Sequence, residues 1–447
     1  MTLDFTRRGF LRFTATSAAL IAASRTATAR HLFNGGKLRH AHVGVGGMGR
    51  ADLGSISSHP DLEVVALCDV DANHLAAAAK LHPNAKIYAD WREMFQEMAT
   101  EIDSVCVSTP DHMHAPVTMT AMSLGKHVYC QKPLTHTVKE ARLIGTAAAN
   151  SRVMTQMGIQ NHSGGNYLST IETFNSGITG PVSDVHVWSD RPAGWWPQGE
   201  ERPEGSDSIP EHLSWDLWLG VAPERPYKAG RIYHPFAWRG RKDFGTGAQG
   251  DMACHLMDPA PWFLGLKDPL TVKSVGPKPT ADCFPLWSRV SYRFPATPKT
   301  HKDGVNVTWH DGGKNPAELV KEYQIENLYS NGSLFVGPKG ALLVSPYEPC
   351  RFFKKGEGEV EFERVTVKAR DHYHQWVDAC FGRDHCTAAF GYSAHLTEVA
   401  LLGNIALEFP NEELRWNPKE MRFDGNAKAT KMVHKPYRSG WEVPRLK

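Results

Sequence analysis

A glycine-rich turn between an apolar segment and a helix start is the feature that most constrains the fold of this chain. The segment Leu38–Val43 runs directly into GVGGMG at residues 44–49, and RADL then continues as a helix start. This G-x-G-x-x-G spacing permits a tight turn and brings the backbone close to a pyrophosphate at the helix N-terminus. A second apolar segment ends at Asp69, where a carboxylate accepts hydrogen bonds from an adenine ribose and repels a 2′-phosphate. The pattern predicts a dinucleotide site that prefers NAD to NADP.

Apolar segments and helical stretches continue to alternate as far as residue 150. We predict further helices at 72–81, 91–99, 115–124 and 138–150, and buried strands at 63–69, 103–108 and 128–132. This alternation is typical of a doubly wound parallel sheet, which binds its ligands at the carboxyl ends of the strands. The residues expected at such strand ends are Thr109, Pro110, Gln131 and Lys132.

In the second half of the chain the alternation of predicted strands and helices ends. Strands predicted at 182–188, 289–294, 333–336, 341–345 and 364–367 are separated by turn residues. This spacing indicates a second, α+β domain with a mostly antiparallel open sheet. We therefore expect an α/β protein with four segments: a leader at 1–29, a Rossmann domain at 30–160, a substrate and oligomerisation domain at 161–370, and C-terminal helices and a tail at 371–447 that pack back on the Rossmann domain.

The composition restricts the class of partner. Lys and Arg number 50 against 48 Asp and Glu, so the chain lacks the charge excess typical of nucleic-acid binding, and no polybasic run suits membrane lipids. The eight cysteines include no C-x-x-C pair, which argues against a zinc site and a dense disulfide framework. His112 and His114 form an H-x-H pair on a predicted loop, which is a weak metal signal by itself and favours a pocket wall or a helix cap over a metal site. We expect a small-molecule partner and predict no metal.

The first residues have the features of an export signal. Paired arginines occur in TRRGFLR at residues 6–12, a weakly apolar run follows at 13–23, and ATA at 27–29 offers small residues for cleavage. The apolar run is too short to span a bilayer, and an ordinary amphipathic leader is the alternative. We expect export by the twin-arginine translocase to the periplasm, without stable membrane insertion and with the mature chain beginning near Arg30. An NAD enzyme there has no nicotinamide pool to exchange with, so it should hold and recycle its cofactor.

The leader, GVGGMG at 44–49, STPDHMH at 108–114 and CQKPL at 130–134 together resemble the Gfo/Idh/MocA family of glucose–fructose oxidoreductases and inositol dehydrogenases. In that family the last motif usually reads E-K-P, and its lysine reaches the substrate hydroxyl beside the nicotinamide. Lys132 matches that lysine, although a strand-capping lysine is the alternative from the residues alone, and Gln131 replaces the usual glutamate. With the resemblance, the residues assigned to the NAD site are Gly44, Gly46, Gly47, Met48, Gly49, Asp69, Thr109, Pro110, His114, Gln131, Lys132 and Gln160.

A second motif lies in GTGAQGDMACH, where Asp251 starts a predicted helix and His255 follows one helical turn later. Such a pair alone is commonly a helix cap and a surface histidine. The family carries D-x-x-x-H on the helix that faces the nicotinamide, so the resemblance implies that Lys132, Asp251 and His255 are catalytic. A histidine titrating near neutrality suits removal of the hydroxyl proton as hydride leaves. We assign His255 as the base, Lys132 as the cation beside the developing alkoxide, and Asp251 as the orienting group. Whether Lys132 or His255 takes the proton first stays open.

Residues 191–245 are rich in Trp, Pro and Gly. Aromatic faces suit the C–H faces of sugars, and a core or subunit interface explains the tryptophans equally well. The residues assigned to substrate contact are Asn161, His162, Trp195, Trp238 and Arg239.

These features predict an exported NAD-dependent oxidoreductase that transfers hydride at a secondary hydroxyl of a sugar or glycoside. The resemblance also implies a homo-oligomer formed through the open sheet. Three alternatives use the same fold: a redox-neutral NAD-dependent glycosidase acting by oxidation and elimination, a dehydrogenase that releases NADH, and a non-catalytic sugar or cofactor sensor. The sequence names neither the sugar nor the hydroxyl.

Overall fold

The computed structural model describes residues 36–446, and the predicted leader lies outside them. The first sheet contains six strands: β1 (Leu38–Val43), β2 (Leu62–Cys68), β3 (Lys86–Tyr88), β4 (Ser104–Val107), β5 (His127–Cys130) and β6 (Thr155–Met157). Its helices are α1 (Met48–Ser57), α2 (Ala72–Leu81), α3 (Trp91–Met98), α4 (His114–Ser123) and α5 (Val138–Ala149). The strands are all parallel, in the order β3-β2-β1-β4-β5-β6. The predicted doubly wound sheet is confirmed.

Short apolar runs and side-chain caps explain why these elements form where they do. All four residues of β4 and all four of β5 are buried, as expected for central strands covered on both faces by helices. Asp71 and Asp90 cap the first turns of α2 and α3 through their carboxylates. Thr137 and Glu140 form a reciprocal capping box at the start of α5. These caps end the loops at the carboxyl edge of the sheet, where the predicted site residues lie.

The second sheet contains ten strands and is mostly antiparallel, which confirms the predicted α+β unit. The strands are β7 (Asp184–Trp188), β8 (Thr271–Val275), β9 (Arg289–Phe294), β10 (Val305–His310), β11 (Gly332–Gly337), β12 (Gly340–Val344), β13 (Arg351–Lys354), β14 (Gly358–Glu359), β15 (Glu413–Asn417) and β16 (Arg422–Asp424). Their order is β14-β13-β12-β11-β7-β10-β9-β8-β15-β16, and among the described strands of this second sheet only the β7–β10 pair is parallel.

The strand predicted at 364–367 is wrong. This segment runs alongside a helix, α6 (Gly165–Asn175), and lies outside the sheet. Val365 N–H donates to Thr173 Oγ1 at 3.1 Å, and Val367 N–H donates to Ser169 Oγ at 2.9 Å. Helix hydroxyl groups therefore satisfy the backbone that a neighbouring strand would otherwise pair. Alternating residue types alone do not reveal such a partner.

Seven further α-helices lie within residues 36–446. They are α7 (Trp215–Leu219), α8 (Gly247–Leu256), α9 (Pro259–Leu264), α10 (Ala317–Glu322), α11 (His372–Cys380), α12 (Phe390–Ala406) and α13 (Ala427–Lys431). Helix α12 packs against both α5 and α8, and Arg142 of α5 forms an ion pair with Glu398 of α12 at 2.6 Å. In the tail, Tyr437 donates to Glu140 Oε1 at 2.6 Å and the Trp441 ring lies under the Arg92 guanidinium. Within residues 36–446 no helix combines the length and apolar character needed to cross a bilayer.

Candidate active site

A contact between the two halves of the molecule defines the candidate site. Lys132 follows β5 at the carboxyl edge of the first sheet, and its Nζ donates to the Asp251 carboxylate at 2.7 Å and to the Asp251 carbonyl at 2.8 Å. Asp251 lies on α8, which begins at Gly247, so the expectation that Asp251 starts the helix is wrong. The small residues allow this, because an added Cβ on Gly250 would overlap Thr246 of the preceding turn. The helix thus starts one turn before Asp251, and Asp251 is a buried residue in its interior.

Positive charges keep the Asp251 carboxyl ionised. Burial alone would raise its pKa, but the charges of Lys132 and Arg239 hold the pKa below its ordinary value. Arg239 Nε lies 3.4 Å from Asp251 Oδ1, and the Arg239 guanidinium also stacks on the rings of Phe236 and Trp238. Two cations thus face one carboxylate, and the site has an excess of positive charge.

His255 lies one helical turn beyond Asp251 and is neutral in this arrangement. Burial, and next the charge of Lys132, lower the pKa of His255 to about 3. This differs from the expected titration near neutrality, because a second positive charge is unfavourable beside Lys132. The ring is partly exposed, but its Nδ1 atom is buried and has no hydrogen-bond partner among the described residues.

The glycine turn after β1 has the close packing that a dinucleotide cradle needs. An added Cβ on Gly44 would lie 2.6 Å from the Ser108 carbonyl oxygen, and one on Gly49 would overlap the Gly44 carbonyl oxygen. Gly47 precedes α1 with φ of 50°, and no side chain of the described residues caps the start of that helix, where an anion is favoured; of its first N–H groups, that of Gly49 already donates to Gly46 O at 2.9 Å. Met48, the first residue of α1, is exposed.

Asp69 lies at the end of β2 with its carboxylate directed to the same turn. It accepts hydrogen bonds from Val45 N–H at 2.8 Å and from Asp71 N–H at 2.9 Å. Burial raises the pKa of Asp69, and these two N–H groups oppose that shift. The glycine cradle, the uncapped helix start and this carboxylate together form a donor and acceptor set that fits NAD.

The loop after β4 contributes Thr109, Pro110 and His114. Thr109 Oγ1 is buried without a hydrogen-bond partner in the described part of the chain, so it is free to bind a cofactor. The His114 ring lies between two backbone carbonyls, 2.6 Å from Pro133 O and 2.8 Å from Thr109 O. Because burial lowers the pKa of His114 to about 4, the neutral ring donates to one of them at a time. His114 therefore links the Thr109 loop to the Lys132 loop.

The predicted substrate residues Asn161 and His162 occupy a short 3-10 helix, Gln160–Ser163. His162 is only 4% exposed, its Nδ1 lies 2.7 Å from Asp258 Oδ2, and its ring stacks on Trp262. Tyr392 donates to the other Asp258 oxygen at 2.5 Å. The structure thus places His162 in a buried polar network, whereas Asn161 is partly exposed.

The tryptophans divide between the core and the surface. Trp238 is buried in a cluster with Trp215, Trp218 and Phe244, so its role is packing. Trp195 is 46% exposed, and the Arg191 guanidinium lies 3.6 Å from its ring centroid. Arg191 is close enough to His255 to contribute to lowering that pKa. Trp195 is therefore the predicted substrate tryptophan whose face remains accessible at the edge of the site.

Comparison with known proteins places this geometry in a family. Residues 38–159 match the family model described as an oxidoreductase family with an NAD-binding Rossmann fold, and residues 189–318 match the C-terminal alpha/beta domain of the same family. The chain belongs to the Gfo/Idh/MocA oxidoreductase family. Its first domain is an NAD-binding Rossmann domain, as the glycine turn predicted.

Several relatives of this Gfo/Idh/MocA protein have names that describe dehydrogenases of inositol, a polyol. Inositol 2-dehydrogenase from Salmonella paratyphi B is 30% identical over 152 residues, which cover 33% of this chain and 45% of that enzyme. The inositol 2-dehydrogenase/D-chiro-inositol 3-dehydrogenase of Lacticaseibacillus casei is 29% identical over 141 residues, 31% of this chain and 40% of that enzyme. The matched region thus spans less than half the length of these curated relatives.

Solved structures share the whole fold of this Gfo/Idh/MocA protein. Aldose–aldose oxidoreductase from Caulobacter crescentus, complexed with glycerol, aligns with a TM-score of 0.59 at 16% identity, covering 85% of this chain and 99% of that one. Levoglucosan dehydrogenase in complex with NADH aligns with a TM-score of 0.58 at 15% identity, covering 84% and 98%. At such low identity these likenesses concern the fold.

In this Gfo/Idh/MocA protein a buried network surrounds Gln131, which replaces the usual glutamate. Gln131 Nε2 donates to both carboxylate oxygens of Asp52, each at 2.9 Å, and Tyr373 donates to Asp52 at 2.8 Å. Burial raises the pKa of Asp52, and these donors oppose the shift. The acid of this network, Asp52, lies on α1, and the residue beside Lys132 is a neutral amide. The contact between Gln131 and Asp52 therefore contains a single carboxylate. Gln160, assigned to the cofactor, donates to Tyr373 at 3.0 Å.

Sequence reasoning missed two acids of this region, Asp52 and Asp111. Asp111 is buried, accepts from Thr246 Oγ1 at 2.7 Å, and lies within electrostatic range of Lys132 and Asp251. Burial raises the pKa of Asp111 to about 7, against the effect of Thr246 and Lys132. The signal for Asp111 was its position directly after Thr109-Pro110 at a strand end, and the signal for Asp52 was its position in the first turns of α1.

Proposed function

We propose that this chain is an exported NAD-dependent oxidoreductase that acts on a sugar or glycoside by hydride transfer at a secondary hydroxyl. The observation that carries the proposal is the 2.7 Å contact between Lys132 of the Rossmann domain and Asp251 of the second domain. It brings a cation, a carboxylate and a neutral imidazole together where the two domains meet. The names of the relatives, which include inositol, aldose and levoglucosan enzymes, support a polyol or sugar substrate.

NAD, when bound, supplies the hydride acceptor. The chain itself has to manage the hydroxyl proton and the negative charge that develops on oxygen. Lys132 Nζ uses two donor positions on Asp251, so one N–H remains for the substrate oxygen. Placed there, the ammonium stabilises the developing alkoxide where it is excluded from bulk water.

His255 is the residue of this group suited to accept the proton. Lys132 Nζ already acts as a donor in two hydrogen bonds to Asp251, and an ammonium donor has no lone pair to offer. His255 is neutral, and its ring is partly exposed. Because its pKa is lowered to about 3, His255 binds the proton well only as negative charge develops beside it, which couples proton removal to the loss of hydride.

We also propose that the protein retains NAD. Residues of the Trp-rich segment pack against the cofactor side of the Rossmann domain: Ala72 N–H donates to His212 O at 2.8 Å, and Ser214 N–H donates to Val70 O at 2.9 Å. These bonds hold residues 212–214 of the Trp-rich segment close to Asp69, the acid assigned to the ribose. A retained cofactor suits a protein with a twin-arginine leader, because that route exports folded proteins to a compartment without a nicotinamide pool.

The test is a screen of free sugars, polyols and glycosides against the protein as purified, without added NAD. We expect one class of sugar to change absorbance in the reduced-nicotinamide band, and a second sugar to restore the starting spectrum. Release of an aglycone without any acceptor would support the glycosidase alternative, and steady release of NADH would support a simple dehydrogenase. A spectrum that no compound changes, in protein shown to contain NAD, would refute hydride transfer and leave the sensor alternative.

Export and assembly need separate measurements. Fractionation of cells should find the processed chain in the periplasm, and replacing both arginines of the leader, Arg7 and Arg8, by lysine should retain it in the cytoplasm. Light scattering after size-exclusion chromatography tests the proposed homo-oligomer. A monomer at micromolar concentration would refute assembly through the open sheet.

A further inference from the structure

Three imidazoles converge on one carboxylate oxygen outside the catalytic group. Asp71 caps α2 with Oδ1, which accepts from Asn73 N–H at 2.9 Å. Its other oxygen, Oδ2, lies 2.7 Å from His234 Nε2, 3.7 Å from His212 Nε2 and 3.9 Å from His74 Nδ1. Oδ1 of Asp71 therefore caps α2, and Oδ2 faces the imidazole nitrogens of the three histidines.

The spacing of these atoms suits a metal ion. The ligand atoms of Asp71, His74 and His234 all lie within 4.8 Å of one another. Zinc binds imidazole nitrogen and carboxylate oxygen at about 2.0–2.2 Å, which separates neighbouring ligand atoms by about 3–3.5 Å. A shift of about 1 Å in side chains that are partly exposed would complete that arrangement. His212, 36% exposed, stands near as a fourth ligand.

We propose that Asp71, His74 and His234, with His212 as a fourth ligand, form a binding site for a divalent transition metal of the zinc type. The site joins α2 of the Rossmann domain to the Trp-rich segment of the second domain. Asp71 and His74 are three residues apart, but His212 and His234 follow 141 and 163 residues after Asp71, so no local spacing motif predicts the full ligand set.

The position of His74 links this site to the cofactor. An added Cβ on Gly46 would overlap the His74 ring, and Gly46 is the glycine whose bare backbone is predicted to face the pyrophosphate. His74 Nδ1 also lies 3.9 Å from Asp69 Oδ2, the acid assigned to the ribose. The His74 ring therefore lies in space that NAD needs and has to move when NAD binds, so a metal that holds the ring in place should compete with NAD.

The first experiment measures zinc binding alone. Untagged full-length protein freed of NAD is titrated with Zn²⁺ by calorimetry, and the bound metal is counted by mass spectrometry after gel filtration. We expect about one equivalent, and an affinity about 100-fold or more weaker in His74→Ala. His74 is partly exposed and lies on an alanine-rich helix, so we expect alanine there to preserve the fold, which thermal unfolding checks.

A matched control uses another histidine beside an acid. His385 Nδ1 lies 3.1 Å from Asp384 Oδ1 on the surface, and no second imidazole is part of that pair. His385→Ala should bind zinc as the wild type does. Equal affinity in the wild type and in His74→Ala, or no zinc binding by the wild type, would overturn the proposal.

The second experiment repeats the titration at saturating NAD. Displacement of His74 by the cofactor should weaken zinc binding about tenfold or more, and by linkage zinc should weaken NAD to the same degree. An unchanged zinc affinity would overturn the shared space and leave the metal site. Failure of NAD to bind would count against the proposed cofactor site only, because the zinc titration does not depend on it.

Discussion

Replacement of Lys132 by methionine tests the centre of the proposed mechanism. Methionine keeps most of the side-chain length and removes the charge. Two unit charges about 4 Å apart at an effective dielectric constant of about 20 attract each other by about 4 kcal/mol. The Lys132 ammonium lies at hydrogen-bond distance, 2.7 Å, from its present partner and would approach an alkoxide as closely. Since about 1.4 kcal/mol corresponds to tenfold in rate, we expect a loss of about 10³-fold.

The assay is a single-turnover measurement on protein that carries its own NAD. Stopped-flow absorbance in the reduced-nicotinamide band follows the reaction with the sugar that the screen identifies, so product release does not mask the step. Asp251 keeps Arg239 as a neighbour at 3.4 Å in Lys132→Met, which limits structural damage. The bound NAD content should stay within about twofold of the wild type, because the glycine cradle and Asp69 are untouched.

A second lysine serves as the control. Lys242 forms an ion pair of similar length, 2.9 Å, with Glu408, so Lys242→Met removes a comparable contact outside the catalytic group. Its rate should stay within about threefold of the wild type, as expected for a partly exposed ion pair. A loss smaller than tenfold in Lys132→Met, with NAD retained and the control unaffected, would refute the assignment of Lys132 to the reacting oxygen.

Three further variants test the cradle, the buried acid and the choice of cofactor. Gly49→Ala should abolish NAD binding because its Cβ would overlap the Gly44 carbonyl, whereas Gly54→Ala on the same helix, with open space around it, should leave the NAD stoichiometry unchanged in a calorimetric titration. Folded Asp111 has a pKa of about 7 against an ordinary 3.8, so its stabilising effect is present below pH 3.8 and is lost as pH rises through 7. Over that range the free energy of unfolding, measured in urea, should fall by up to about 4 kcal/mol more in the wild type than in Asp111→Asn. Parallel pH curves for the two proteins would contradict this. Asp69→Ser should weaken NAD by roughly 10–100-fold and reduce the preference over NADP, measured by competitive titration.

The sequence by itself determined the first sheet, because its signals are local. The glycines that follow β1, the acid that ends β2 and the capping residues act within a few residues of the elements they define. The antiparallel character of the second sheet followed from turn spacing in the same way. The strand expected at 364–367 failed because its backbone partners, Ser169 and Thr173, lie about 190 residues earlier in the chain.

Only the tertiary structure decided how the distant motifs combine. Packing of α8 against the Rossmann domain brings Asp251 to Lys132, and the resulting burial and charge lower the pKa of His255 to about 3. Packing also sends Trp238 to the core and leaves Trp195 exposed, although both occur in the same kind of sequence. Electrostatic energies and burial depend on distances across the folded molecule, and residue order along the chain does not encode those distances in any local pattern.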